Sequence, residues 1–386
     1  MGWQKAETIT PKLPTAPLFL LWLLAGVMAV FSGVLLFILH ASELIELLTR
    51  VDIWWLSMTP PAAWLMLFSF RYWLWGKKVD EYKFFQQEAK FGHQQWQAWS
   101  ERHLVILGSS ISLPDSITAE TICNGSANDI PWQMGCCRRL ADLPLSDAAT
   151  INLCISGIKN ELNNLPVHLP LAVTLVTDLD SSEMTQALVM LWPTLFHQHK
   201  VPDEIIATSA LSMNWVEERL KQPVKNVHLI LIIQLNGEAS YSDGLAALLL
   251  TSDDVVNKYR LPAQVRLLRP MPLNMLLFQQ EISLFIKTQT AARHTSRILG
   301  DARKWEDFSA DLSALSSIHG TLWQVTENEL LEKWCGIAGP SSPWLLTALA
   351  AELANLRDES LLMFCSSGQE HFVSTVTLGS ENEHIG

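Results

Sequence analysis

Positive charge is what this chain is short of: 27 Lys and Arg stand against 39 Asp and Glu, a formal net charge of −12. That balance excludes nucleic acid as a partner, because a phosphate backbone needs a basic face. Charge of either sign is scarce at 17% of residues, against 49% hydrophobic, the composition of a chain that buries a large core. The six cysteines form no CxxC pair and no metal-type Cys/His spacing, so neither a zinc site nor a dithiol motif is expected. No glycine-rich phosphate loop, Ser-His-Asp order or paired-carboxylate motif occurs. Nor does any Pro/Gly/Ser-rich linker interrupt the chain after residue 100.

What is present begins at the N-terminal end. Apolar runs cover residues 18–39 and 53–70, each long enough as a helix to cross a hydrocarbon core of about 30 Å. The first holds no charge, and its one hydroxyl, Ser32, can bond back to its own helix. It exceeds the h-region of a cleavable leader, and no small-residue cleavage pattern follows it. The second contains Pro60 and Pro61, which remove backbone donors and predict a kink, but Trp54, Trp55, Trp64, Trp73 and Trp75 lie toward its ends, where indoles settle at headgroups. Lys5 and Lys12 precede the first run and Arg71, Lys77 and Lys78 follow the second, while Ala41–Asp52 carries Glu43, Glu46 and Asp52 against Arg50. The positive flanks predict a two-pass hairpin over residues 1–78 in the inner membrane, with both termini cytoplasmic.

About 300 residues remain, and with six Lys/Arg and four Asp/Glu already counted in residues 1–78 they hold 21 basic and 35 acidic groups, a formal charge of −14. Residues 79–100 predict a linker helix leading away from the bilayer, residues 101–379 an α/β domain, and 380–386 a tail. Strand signals at His103–Leu107, Leu171–Thr177, Glu204–Ser209, Val227–Leu235, Leu245–Thr251 and Gln264–Leu268 alternate with helix signals at Leu145–Leu165, Met184–Phe196 and Asn214–Lys221. This alternation is that of an α/β architecture. The last hundred residues are more helical, over Asn274–Arg293, Trp305–Ile318, Glu327–Trp334 and Pro343–Leu356, and close on a hairpin, Leu361–Cys365 with His371–Leu378.

Three stretches resemble the β-ketoacyl synthase branch of the thiolase fold. Tyr241–Leu250 with Gln264–Leu268 is similar to that family's "EGAAALVLE" strand and the strand after it. Gly336–Ser342, leading into the apolar helix of Trp344–Leu353, is similar to the "GHTxGAAG" turn, and Leu361–Leu378 to the closing hairpin. Arg138, Arg139, Leu140 and the helix over Ala148–Leu162 fit more loosely. The resemblance implies a thiolase-like α/β domain over most of Leu104–Leu378, in which a cysteine at a helix N-terminus would attack an acyl thioester and histidines would stabilise the developing charge. The slot for that cysteine reads Ser209-Ala210-Leu211-Ser212-Met213, and the histidine position reads Gly336-Ile337. The expectation is therefore a pseudoenzyme with no catalytic residue, cofactor or metal, whose old cleft is filled by Leu211, Met213 and Ile337.

Other candidates have plainer readings. Ser209 and Ser212 suit a helix cap. His197 and His199 diverge at i,i+2 and lack a third ligand. Vicinal Cys136-Cys137 could sense oxidants but also suits inert thiols, and Asp178 and Asp180 sit at a strand end where α/β sheets place functional carboxylates as well as ordinary turns. The hairpin-plus-body layout, with Arg269–Pro272 (RPMP), resembles accessory proteins of bacterial type VI secretion systems. It implies a scaffold or adaptor whose partners are the lipid bilayer and a protein, either secretion machinery or an effector. Two alternatives stay open: an acyl-transferring or thioester-cleaving enzyme with a displaced nucleophile such as Cys154, Ser209 or Cys335, and an immunity protein that neutralises a toxin through a complementary surface.

Overall fold

The computed structural model describes residues 2–5, 11–42, 51–125, 135–141, 146–202, 204–222, 225–262, 265–323 and 329–379. The expected outer loop lies largely outside them, as does the tail. Two compact units result, one of Lys5–Gln95 and the other of Met1–Gln4 with Trp96–Gly386.

The first unit is an antiparallel helical pair, α1 (Phe19–Ala41) and all but the last five residues of α2 (Ile53–Ser100). Small residues let the backbones approach: a Cβ on Gly26 would meet the Trp64 ring, and one on Gly33 would meet the carbonyl of Ser57. The Trp64 indole donates to the Trp22 carbonyl at 3.0 Å, and Phe37 packs on Trp54. With a mean hydropathy of 2.5, α1 is the one helix among the described residues long and apolar enough to cross a membrane. The sequence reading separates a span at 53–70 from a linker helix at 79–100. They are one 48-residue helix with Pro60 and Pro61 inside it.

The second unit, the body, is built on a duplicated sheet. Its first half runs β1 (His103–Ser112), α3 (Ala119–Cys123), α4 (Asp147–Ser156), α5 (Lys159–Asn163), β2 (Leu171–Thr177), α6 (Ser181–Leu195), β3 (Glu204–Thr208), α7 (Asn214–Lys221), β4 (Val227–Gln234) and β5 (Gly244–Ser252). After α8 (Asp253–Tyr259) come β6 (Val265–Leu268), β7 (Met271–Leu273), α9 (Phe278–Thr288), β8 (Arg297–Gly300), α10 (Ser309–His319), β9 (Glu329–Leu330), α11 (Leu331–Cys335), α12 (Ser342–Arg357), β10 (Leu361–Ser367) and β11 (Glu370–Leu378). The strand order is β3-β2-β4-β5-β1-β6-β11-β10-β8-β9, with β7 on β11. Each half repeats one plan: three parallel neighbours, an antiparallel strand beside them, then the first strand of the half, the two halves meeting where β1 pairs β6.

Burial on both faces explains the unbroken apolar runs of β2, β4 and β5. Along β4, Ile230 and Ile232 point into one core with α7 and α12, while Leu229, Leu231 and Ile233 point into another with α4 and α6. Along β10, Leu361, Met363 and Cys365 join the α12 core, and Leu362 and Phe364 join a third with α9 and α10. Helices thus lie outside each half-sheet and between them, and α12 is buried around its circumference, as an all-round apolar helix must be. Three sequence expectations shift. The helix over Leu145–Leu165 breaks into α4 and α5, Asn274–Arg293 keeps α-helix only over α9, and Leu330, expected helical, is in β9.

Arg269–Pro272, which accompanies the layout in the secretion resemblance, has a structural place. The Arg269 guanidinium is fully buried, pairs with Glu217 at 2.5 Å and donates to the Trp99 carbonyl at 2.9 Å, and Met271 opens β7. Burial draws its pKa down, and Glu217 opposes that shift.

Candidate functional site

In each half a helix leads into the strand that pairs with the antiparallel one: α7 into β4 in the first, α12 into β10 in the second. Their N-terminal ends meet. The Trp344 indole, fully buried in the first turn of α12, donates to the Leu211 carbonyl at 2.7 Å, and its ring meets Trp215 edge-on at 5.7 Å. Met213, immediately before α7, is fully buried in the same core. The Ser212 hydroxyl, one residue before the N-cap Met213, accepts from the Asn214 amide at 3.2 Å and donates to Glu370, which opens β11, at 2.8 Å. Ser209 is exposed. Thus Met213 is buried as expected, Leu211 is half-buried, and Ile337 is only half-buried and acts through its backbone. Its amide donates to Cys136 and its carbonyl accepts from Ser242.

The loops around α12 are closed by their own hydrogen bonds. Gln234, at the end of β4, donates to the Ser242 carbonyl at 2.8 Å and accepts from the Ser341 amide at 3.0 Å. A Cβ on Gly339 would collide with that side chain. Gly336 has φ of 85°, which glycine adopts without strain, and a side chain there would strike Cys136 and Ser242. Asp243, buried, takes Arg139 and the Leu140 amide.

Asp301 is the residue that sequence reasoning misses. It follows β8, a four-residue strand too short to read from periodicity. Its buried carboxylate accepts from the Trp305 indole at 2.7 Å, the Ser342 hydroxyl at 3.0 Å and the Ser366 amide at 2.7 Å. Burial raises its pKa, against the pull of those donors.

Of the proposed displaced nucleophiles, Cys154 and Cys335 are buried. Burial pushes the Cys154 thiol up to about 12, and it donates to the Ala246 carbonyl at 3.0 Å. The Cys335 thiol is likewise pushed up to about 12, by burial and by Glu332. A protonated thiol is a poor nucleophile. Cys136 is exposed and Cys137 half-buried, both free. Asp178 closes a strand-end turn, accepting from the Leu235 and Asn236 amides and the Tyr241 hydroxyl. Asp180 caps α6, and Ser182 and the amides of Glu183 and Ser182 lower its pKa. His197 is exposed, and no group of three or more potential metal ligands occurs among the described residues.

No family model matches the chain, and no curated protein matches it. Solved structures that resemble it include 3-oxoacyl-(acyl carrier protein) synthase III, FabH, from Xanthomonas oryzae pv. oryzae, at 12% identity over 72% of this chain and 99% of that one, TM-score 0.45. Cerulenin-bound OleA from Xanthomonas campestris resembles it at 12% identity over 72% and 97%, TM-score 0.46. A type II polyketide ketosynthase complexed with its acyl-carrier protein does so at 10% over 72% and 99%, TM-score 0.49. At these levels the likenesses give no residue of this chain a role. The body, with its duplicated mixed sheet, is thiolase-like.

Proposed function

We propose that this is a non-catalytic, membrane-anchored thiolase-like protein that works as an adaptor. The reading rests on one observation: the start of α7, where a ketosynthase-type enzyme needs a nucleophile, holds fully buried Met213 beneath the Trp344–Leu211 bond. An acyl thioester has no thiolate to meet there. The secretion-accessory role is the finer form of this reading, carried by the layout of hairpin and body, with the effector or machinery as protein partner. The acyl-CoA test is direct. Incubation of the full chain in detergent with a long-chain acyl-CoA, followed by intact mass measurement, should leave the mass unchanged, and an acyl adduct on any residue would overturn the reading.

The two-pass anchor belongs to the same proposal. Residues 2–4 and 96 onward are in one compact unit, where Trp3 packs on Trp99 at 5.2 Å and on Phe285 at 5.4 Å. A chain that leaves the body and returns to it must cross a bilayer an even number of times, so a spanning α1 requires the apolar start of α2 to span back. A membrane-impermeant maleimide added outside should label Val51→Cys and spare exposed Cys136. Labelling of Cys136 alone would reject the orientation.

A further inference from the structure

The sheet has an opening in its middle. β1 pairs with β5 from Leu104 to Ser112 but with β6 only from His103 to Ile106. From Leu107 on, its second edge meets no strand among the described residues. The ladder to β5 shifts register between Ile106 and Gly108, and Glu161 lies over that glycine, where a Cβ would stand 3.0 Å from its Cγ. Such a bulge bends a strand and ends pairing on one side.

The free edge borders a cavity of about 350 Å³ between β1, α3, α5 and the C-terminal half of α12. The Ile111 amide faces this edge, by the alternation counted from the Arg102 carbonyl, which accepts from Arg269 on the β6 side, and carried through the register shift at Leu107. By the alternation of an antiparallel strand, the Ser109 amide and carbonyl point the same way. Glu120, Glu161 and Glu352 line the space, and no lysine or arginine among the described residues does. One oxygen of Glu161 is buried without a hydrogen-bond partner. Burial, together with the charge of Glu120, pushes the Glu352 carboxyl up to about 7. A row of unpaired backbone groups accepts an added strand, and carboxylates lacking a counter-charge favour a cation beside them.

We propose that this edge takes a short extended peptide bearing lysine or arginine at adjacent positions, which pairs with Leu107–Ser112 and sets one cation on Glu161, on the α5 face of the sheet, and the next on Glu120 and Glu352, on the α12 face. The edge is about 20 Å long at the rise of an extended strand. The chain's own last residues carry Glu381 and Glu383, the wrong sign for the site. The cavity lies at the far end of α12 from Ser342, so the proposal stands apart from the non-catalytic reading.

The probe is a blocked, fluorescein-labelled peptide with an adjacent pair of lysines flanked by valines, titrated by anisotropy into the full chain in detergent at low salt. Glu161→Gln and Glu352→Gln should each weaken binding about tenfold, the scale of one hydrogen bond to a charge, and thermal melts should show both variants folded. Should either variant fail to fold, hydrogen exchange on the unaltered chain decides, because the peptide should slow exchange at Ser109. Of two peptides N-methylated on opposite edges, one should bind and the other should not. Equal binding of both, or of the same peptide with glutamates in place of its lysines, overturns the proposal. So does full displacement by spermidine, which has the charge without the strand, and so does unchanged exchange at Ser109.

Discussion

Met213→Cys restores a thiol where the thiolase resemblance asks for one, and it should stay inert. The change removes two heavy atoms from a fully buried side chain, a cost of about 1.5 kcal/mol, which a body of this size should tolerate. Two effects then compete for the new thiol. The start of α7 offers a helix dipole worth at most about 2 kcal/mol, or about 1.5 pKa units downward. Burial acts the other way. In the same core the Cys335 thiol goes from 9.0 to about 12, mainly through desolvation, a rise of roughly twice the dipole's pull. Desolvation wins, so at pH 7.5 the thiolate fraction should fall below about 3%, and the indole of Trp344 over Leu211 bars approach besides.

Iodoacetamide labelling of the full chain, followed by peptide mass mapping, carries its own reference in exposed Cys136. The introduced thiol should react about a hundredfold more slowly than Cys136, and no acyl adduct should form with acyl-CoA. Adding Trp344→Ala should open the site and raise its labelling toward that of Cys136. A thiol at 213 that alkylates faster than Cys136 with Trp344 intact would refute the closure on which the pseudoenzyme reading rests.

Trp344→Phe keeps most of the packing but loses the bond to Leu211 and leaves a small void, so it should destabilise the body by about 2–3 kcal/mol, read as a fall in Tm of about 5 °C. A shift under about 1 °C would mean that the indole bond contributes nothing. Gly339→Ala should cost about 1–3 kcal/mol by overpacking against Gln234, and less once Gln234→Ala removes the obstacle. Strict additivity in that cycle would contradict the contact. Gly26→Leu, which pushes into the Trp64 ring, should part α1 from α2 and lower the yield of an α1–α2 disulfide engineered near the pair's open end.

The buried centre was far more legible than the site. Apolar runs such as Leu171–Thr177 and Val227–Leu235 name their strands because strands covered on both faces must be apolar throughout, and β2 and β4 agree with them to within a residue. Short elements escaped: β8 and β9 have four and two residues, fewer than any periodicity can register, and the duplication of the sheet stayed hidden with them. The absence of cysteine from the start of α7 is plain in the sequence, yet the contact made there, an indole donating to a carbonyl 133 positions away, leaves no trace in local sequence. Glu161, Glu352 and Asp301 are ordinary acids until the fold decides which one meets water.

The duplication supplies the sharpest contrast for one last prediction. Asp178 follows β2 and Asp301 follows β8, the middle one of the three parallel strands in each half. The Asp178 amide donates to Ile233 and its carboxylate accepts from Leu235; the Asp301 amide donates to Phe364 and its carboxylate accepts from Ser366. One bridge is thus built twice, but Asp178 is half-buried and Asp301 is 1% exposed. Asp178→Asn should cost about 1 kcal/mol, since water can reach the amides left behind. At Asp301 an amide cannot accept from Trp305, Ser342 and Ser366 at once, and an orphaned buried donor costs about 1–3 kcal/mol. Because burial raises the Asp301 pKa above its unfolded value, the aspartate's contribution is full below about pH 4 and is lost as pH rises through the raised pKa. The penalty of Asp301→Asn should therefore be largest in acid and shrink toward neutral pH, as followed by urea unfolding of the full chain across that range. A penalty that grows with pH would mean that the buried carboxylate, ionised, holds the second half together more strongly than its desolvation opposes it.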